Sequence, residues 1–136
     1  LKKFGIIELI CELNFTNLRE AFFQAVSNSS WAHEGYLCAA EISEDADFLS
    51  EIKRLSTSFG IGLIHLDTNA PDSSRIIYSA KSKDHLDWES MNKLCINTDF
   101  QEFLKRIKND LTINEIHKAQ YDNVLSTEEL IEKFKH

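Results

Sequence analysis

The feature that most constrains this chain is a change of hydrophobic period that occurs twice in its first sixty-odd residues. Residues 4–13 alternate with period two. One parity (Ile7, Leu9, Cys11, Leu13) is wholly apolar, while the other (Phe4, Ile6, Glu8, Ile10, Glu12) mixes apolar residues with two carboxylates. Period two sends these sets to opposite faces of a strand. The apolar set is expected to meet a helix layer, and the mixed set to line a partly open face. Over residues 18–30 the period becomes helical, with Leu18, Phe22, Ala25 and Val26 as the buried stripe. Asn17 stands at the N-cap with Glu20 three residues on, the spacing of a capping box. Asn28, Ser29 and Ser30 end the helix, because their side chains compete with its backbone.

The same alternation then repeats. Residues 36–42 are a short interior strand. Glu44, Asp45 and Asp47 open a second helix, where carboxylates suit the positive end of the dipole. Phe48, Ile52 and Leu55 form its inner stripe and Gly60 lies just past its end. Residues 61–66 make a third strand, 67–74 a loop holding the only proline, and 75–80 a fourth, edge strand. Beyond Asp87 the pattern predicts helices over 88–96, 99–109 and 113–124, and a last one opened by the capping box Ser126-x-x-Glu129. The order β-α-β-α-β-β followed by helices implies one α/β domain over residues 1–136, with parallel strand pairs joined by right-handed crossovers. Residues 97–136 form a helical extension suited to a lid or docking arm.

Composition removes several function classes. Fifteen Lys and Arg against 22 Asp and Glu leave a net charge of −7, which argues against gripping nucleic acid through bulk positive charge. A local basic strip, or a basic domain elsewhere on the same polypeptide, remains compatible with it. No apolar run approaches the ~20 residues of a membrane span, and no signal peptide is visible. Cys11, Cys38 and Cys95 are odd in number and form no C-x-x-C pair, so neither a disulfide framework nor a zinc knuckle is expected. A reduced, cytoplasmic setting follows as the expectation. The chain begins with Leu1, and is read as a piece of a longer protein.

Familiar motifs fail. Gly60-x-Gly62 follows a helix and opens a strand, the reverse of a dinucleotide fingerprint. The five histidines have no H-E-x-x-H spacing, and His33-Glu34 is a lone dipeptide after a helix. Phe22, Phe23 and Trp31 read as packing aromatics. Lys105, Arg106 and Lys108, on one helix with Lys118 beyond, are the one cluster able to track a phosphate backbone. Glu102 and Asp110 flank it, as on an ordinary salt-bridged face. The more informative pair is Glu8, on a strand, and Gln24, on the helix that follows. A strand carboxylate can hold Mg2+, which wants hard oxygen ligands, and a helix amide can orient a water or a phosphate. Glu12 lies on the same strand face; both acids can equally be solvated rim residues.

The stretch from Glu8 to Ala32, with Glu34-Gly-Tyr-Leu-Cys-Ala-Ala-Glu-Ile, Ser58-Phe-Gly-Ile-Gly-Leu-Ile-His-Leu-Asp and Leu104 to Ala119, resembles a bacterial family linked to restriction–modification loci. Members carry an N-terminal HARE-type winged helix followed by a domain similar to the restriction-endonuclease-like, PD-(D/E)xK fold. The resemblance implies an α/β fold with a mixed sheet flanked by helices and extra C-terminal helices. It also implies a DNA-processing role, with DNA met through the full-length protein. An intact relative would hydrolyse a phosphodiester with Mg2+. By this resemblance Glu8 is the acid of E-x-K and a metal ligand, and Gln24 is the helix glutamine that positions a reacting group. The lysine position is Ile10, which can neither donate a hydrogen bond nor stabilise hydroxide. The first acid of the motif would lie upstream of Glu8, where residues 1–7 hold none. Lys2, Lys3 and Arg19 are nearby cations with no matching motif position. The expectation is therefore a degenerate or incomplete nuclease domain. The alternative is a non-catalytic interaction or homo-oligomerisation module that uses the C-terminal helices.

Overall fold

A computed structural model of the chain describes residues 3–134. The strands are β1 (Gly5–Leu13), β2 (Glu34–Ile42), β3 (Gly62–His65) and β4 (Arg75–Tyr78). The helices are α1 (Leu18–Asn28), α2 (Ala46–Phe59), α3 (Trp88–Leu94), α4 (Thr98–Ile113) and α5 (Thr127–Phe134). The sheet runs in the order β1-β2-β3-β4; β1–β2 and β2–β3 are parallel, and β3–β4 is antiparallel. The fold is thus α/β with a mixed sheet and extra C-terminal helices, an arrangement consistent with the restriction-endonuclease-like one. β4 lies at an edge, as expected, and so does β1.

The two crossover helices lie side by side on one sheet face. Phe22 and Ala25 of α1 and Phe48, Ile52 and Leu55 of α2 share a core with Leu37, Ala39 and Leu63 of the sheet. The rings of Phe22 and Phe59 lie 5.9 Å apart, which ties the helices to each other. A second cluster joins Trp31, Ala32 and Met91 to Phe4, Ile6, Leu86, Phe100 and Leu104, so α3 and α4 pack at the N-terminal end of β1.

The two parities of β1 are placed opposite to the sequence expectation. Register decides this. Glu8 pairs with Leu37 and Ile10 with Ala39, so Ile6, Glu8 and Ile10 share the helix-covered face. Ile7 and Leu9 are 59% and 63% exposed, and Cys11 is exposed beside them. The expectation failed because both parities are apolar enough to be covered, and β2 and β3 set which side the crossover helices take. Only Leu13, at the strand end, joins the core.

Capping follows the sequence in part. Asp45 Oδ1 accepts from the Phe48 N–H at 3.0 Å, and Gly60 closes α2 in the left-handed region at φ 71°. The Ser126–Glu129 box forms in both directions, at 2.8 and 3.2 Å. The box expected at Asn17 does not form. Asn17 instead accepts from the Asn14 N–H and donates to the Glu12 carbonyl, bracing the β1–α1 turn. The helix expected over 113–124 is also absent. α4 runs on to Ile113 and stops at Asn114, whose φ is 56°, and the following segment holds only a short 3-10 turn, Lys118–Gln120.

Candidate functional site

Glu8 and Gln24 line one cleft of about 300 Å3 between β1 and α1, together with Leu9, Ile10, Asn17, Glu20 and Ala21. The strand places Glu8 on the helix-covered face, and the edge position of β1 leaves its carboxylate half-buried at the rim. Asn28, one helical turn beyond Gln24, donates from Nδ2 to Glu8 Oε2 at 2.9 Å. In the sequence Asn28 is read only as one of the residues that end the helix, not as part of a site. Its spacing from Gln24 carries the signal, since residues four apart share a helix face. Glu20 likewise belongs to the cleft, rather than to the capping box expected of it. Glu12 is exposed and accepts from Asn14 Nδ2 at 3.1 Å, outside the cleft.

The donor set can be tested against magnesium. The cleft offers two carboxylates, Glu8 and Glu20, and two amides, Asn17 and Gln24, but one oxygen of Glu8 is engaged by Asn28, Asn17 is spent on the Asn14 N–H and the Glu12 carbonyl, and Ile10 adds only an apolar wall. No group of three or more His, Cys, Asp or Glu able to hold a metal ion occurs among the described residues. These side chains do not by themselves fit a complete Mg2+ site, and no metal-dependent step is derived from them. The other nearby cations are elsewhere. Lys3 Nζ donates to Ser82 Oγ at 2.8 Å and lies 3.8 Å from Glu34, and Arg19 is exposed on α1. Lys2 lies outside the described residues.

His33 and Glu34, a lone dipeptide in the sequence, pin the start of β1. His33 Nδ1 accepts from the Phe4 N–H at 2.9 Å, and its ring stacks on that of Phe4 at 6.2 Å. The aromatics divide as packing residues. Phe22 and Trp31 are buried, and Phe23 sits half-open against Phe22 and Phe59.

One of the three cations of the basic strip on α4 is ion-paired. Lys105 pairs with Glu102 at 3.0 Å, and Arg106 donates to the Gln120 carbonyl at 3.0 Å; Lys108 is exposed. Asp110 does not flank this strip as expected; it is buried. Its carboxylate accepts from the His117 N–H at 3.2 Å and from the Tyr121 hydroxyl at 2.8 Å, and meets His117 Nδ1 at 2.7 Å. The hydrogen bond to Asp110 holds the His117 imidazole above its usual range, and the same bond holds Asp110 below the usual carboxylate range. Desolvation, then the bond to Asp110, pushes the Tyr121 phenol up. The cluster folds residues 114–121 back on the end of α4. Its partners lie seven and eleven residues from Asp110, spacings with no sequence motif.

Comparison with protein-family models, curated proteins and solved structures finds no match to this chain. No described helix is long and apolar enough to cross a membrane.

Proposed function

We propose that this chain is a restriction-endonuclease-like domain of a DNA-processing protein from a restriction–modification or defence setting, degenerate as a nuclease. One observation carries the reading. Glu8 and Gln24 meet in a single cleft between a strand and the helix that follows it, and Ile10 takes the lysine position in the same cleft. The strand–helix placement supports the resemblance. The isoleucine supports loss of the chemistry, because a methyl-bearing wall offers nothing to a hydroxide or a phosphate. In an active relative Mg2+ would polarise the phosphate; here Glu8 is braced by Asn28 instead.

The test is a plasmid-nicking assay on the chain with Mg2+ or Mn2+. Supercoiled DNA is expected to survive equally with the chain and with Glu8→Ala. A metal-dependent nick abolished by Glu8→Ala would overturn the degenerate reading. DNA affinity is then assigned to the rest of the polypeptide, since the α4 strip offers at most three cations and one of them is ion-paired.

A second reading, a protein-interaction module using the C-terminal helices, is favoured by the apolar cleft of about 420 Å3 at the end of α4. Ile107, Leu111 and Ile116 line it around Asp110 and Tyr121. Removing the residues after Asn114 is then expected to abolish partner capture while leaving the sheet folded.

A further inference from the structure

Another cleft, away from Glu8, lies at the carboxyl ends of β2 and β3, a place where open α/β sheets hold ligands. It has a volume of about 560 Å3 and lies between the start of α2 and β4. Register sets His65 directly opposite Arg75 and Leu63 opposite Tyr78, with a bulge between the two pairs, so Arg75 and Tyr78 share the side of the sheet that carries the core residue Leu63. Across the cleft, Asp45 is spent on capping α2, and Glu44 stands exposed one residue outside the helix. Neither the Arg75 guanidinium nor the Glu44 carboxylate has a hydrogen bond or ion pair among the described residues, and none joins them to each other. By contrast Glu8, Lys93 and Asp110, which line other clefts, are engaged within the chain by Asn28, Glu89 and Tyr121.

We propose that this cleft binds a zwitterionic α-amino acid with an apolar side chain, its carboxylate on Arg75 and its ammonium on Glu44. Charge selects this class. A plain anion would meet Glu44, with Asp45 and Asp47 close by at the start of the same helix, and a plain cation would meet Arg75. An uncharged apolar ligand would strip water from both charges and give neither a partner. A zwitterion answers both at once, and a guanidinium takes a carboxylate in two parallel hydrogen bonds. The span fits as well. Glu44 follows β2 and Arg75 opens β4, with β3 between them, so the two backbones lie roughly 10 Å apart at the usual strand spacing. The ammonium and carboxylate of an α-amino acid sit on one carbon, and a charge-assisted hydrogen bond of about 2.8 Å at each end bridges the two side chains. Leu49 of α2 and Ile77 of β4 line the same cleft and are each 37% exposed, so an apolar side chain laid between them removes apolar surface from water. The proposal is independent of the nuclease reading, which rests on the Glu8 cleft and is tested by nicking.

Calorimetric titration of the chain with L-leucine and with L-phenylalanine, each up to about 10 mM, is expected to show saturable binding of at least one of them. Modified ligands then probe each contact on the unaltered chain. The N-acetyl form of that amino acid lacks the ammonium, its amide lacks the carboxylate, and glycine lacks the side chain; each should bind about tenfold or more weakly. Arg75→Gln should weaken the amino acid and close its advantage over the amide. Glu44→Gln should weaken it and close its advantage over the N-acetyl form. Both side chains are exposed, so the circular dichroism spectrum should not change. Absence of saturable binding for both amino acids overturns the proposal. So does binding that glycine or either blocked form matches, or that either substitution leaves unchanged.

Discussion

Gly35→Ala is a sharp test of how α1 is seated on the sheet. Gly35 lies in β2 directly beneath Ser29, the residue that closes α1. A Cβ built at Gly35 would lie 2.5 Å from Ser29 Cβ, in contact with Ser29 Oγ, and 3.0 Å from Ile61 Cδ1. Carbon atoms pack at about 3.5–4.0 Å, so the alanine asks for roughly 1 Å of separation. Ser29 cannot give it easily. It is fully buried, its N–H donates to the Ala25 carbonyl, and its own carbonyl accepts from the Ala32 N–H and from Lys83 Nζ, each at 3.0 Å. Overpacking of this kind costs about 1–3 kcal/mol. Alanine also stiffens the unfolded chain, which returns about 0.4–1 kcal/mol. The net expectation is a destabilisation of about 1–2 kcal/mol, or a fall in Tm of roughly 4–8 °C for a chain of this size. Urea denaturation and calorimetry on Gly35→Ala, Ser29→Gly and the double variant measure it. Ser29→Gly removes both offending atoms, so the double variant should recover most of the Gly35→Ala loss. If the two effects instead add within about 0.5 kcal/mol, the contact does not set the position of α1.

Three further outcomes follow from other contacts. The Asp110–His117 bond should give stability a bell-shaped dependence on pH. Asp110 is held low, so its contribution is present above the ordinary carboxylate range and fades as pH falls through its folded value. His117 is held high, so its contribution is complete below the ordinary histidine range and fades as pH rises through its folded value. The Tm gap between the chain and His117→Gln should therefore be widest between about pH 4.5 and 6 and shrink towards pH 9; a constant gap refutes the linkage. Ser56→Ala should cost about 1–3 kcal/mol in urea denaturation, because buried Ser56 Oγ donates to the Ile61 carbonyl at 2.6 Å and its removal takes that bond out of a buried site. Gly60→Ala should cost about 1–2 kcal/mol by the same measurement, since its φ is 71° and a Cβ there would stand 3.0 Å from Lys81 Cβ; a neutral variant would show that the turn relaxes.

Much of the fold was legible in the sequence because local chemistry wrote it there. The double change of period gave the β-α-β-α-β-β order, Asp45 and Gly60 bounded α2, and the Ser126–Glu129 box opened α5. Failures came where the deciding partner is distant. Residues 113–124 have helical spacing, but Asp110 draws His117 and Tyr121 back across the end of α4, and no local pattern records that pull. The Glu8–Gln24 pair was legible as a strand residue and a helix residue; its bond to Asn28 and its shared cleft were not.

What the sequence determined by itself was periodicity, and with it the elements and their order, because period depends only on neighbours along the chain. It also set which side chains are polar, so that Glu8 has the apolar Ile10 two residues on. The tertiary structure decided which parity of β1 is covered. Both parities are apolar enough to bury, and only pairing with β2, where Leu37 and Ala39 already face the helices, breaks the tie. It thereby put Glu8 against α1 and left Ile7, Leu9 and Cys11 exposed on the other face, because a strand buries whichever face its neighbour's helices cover.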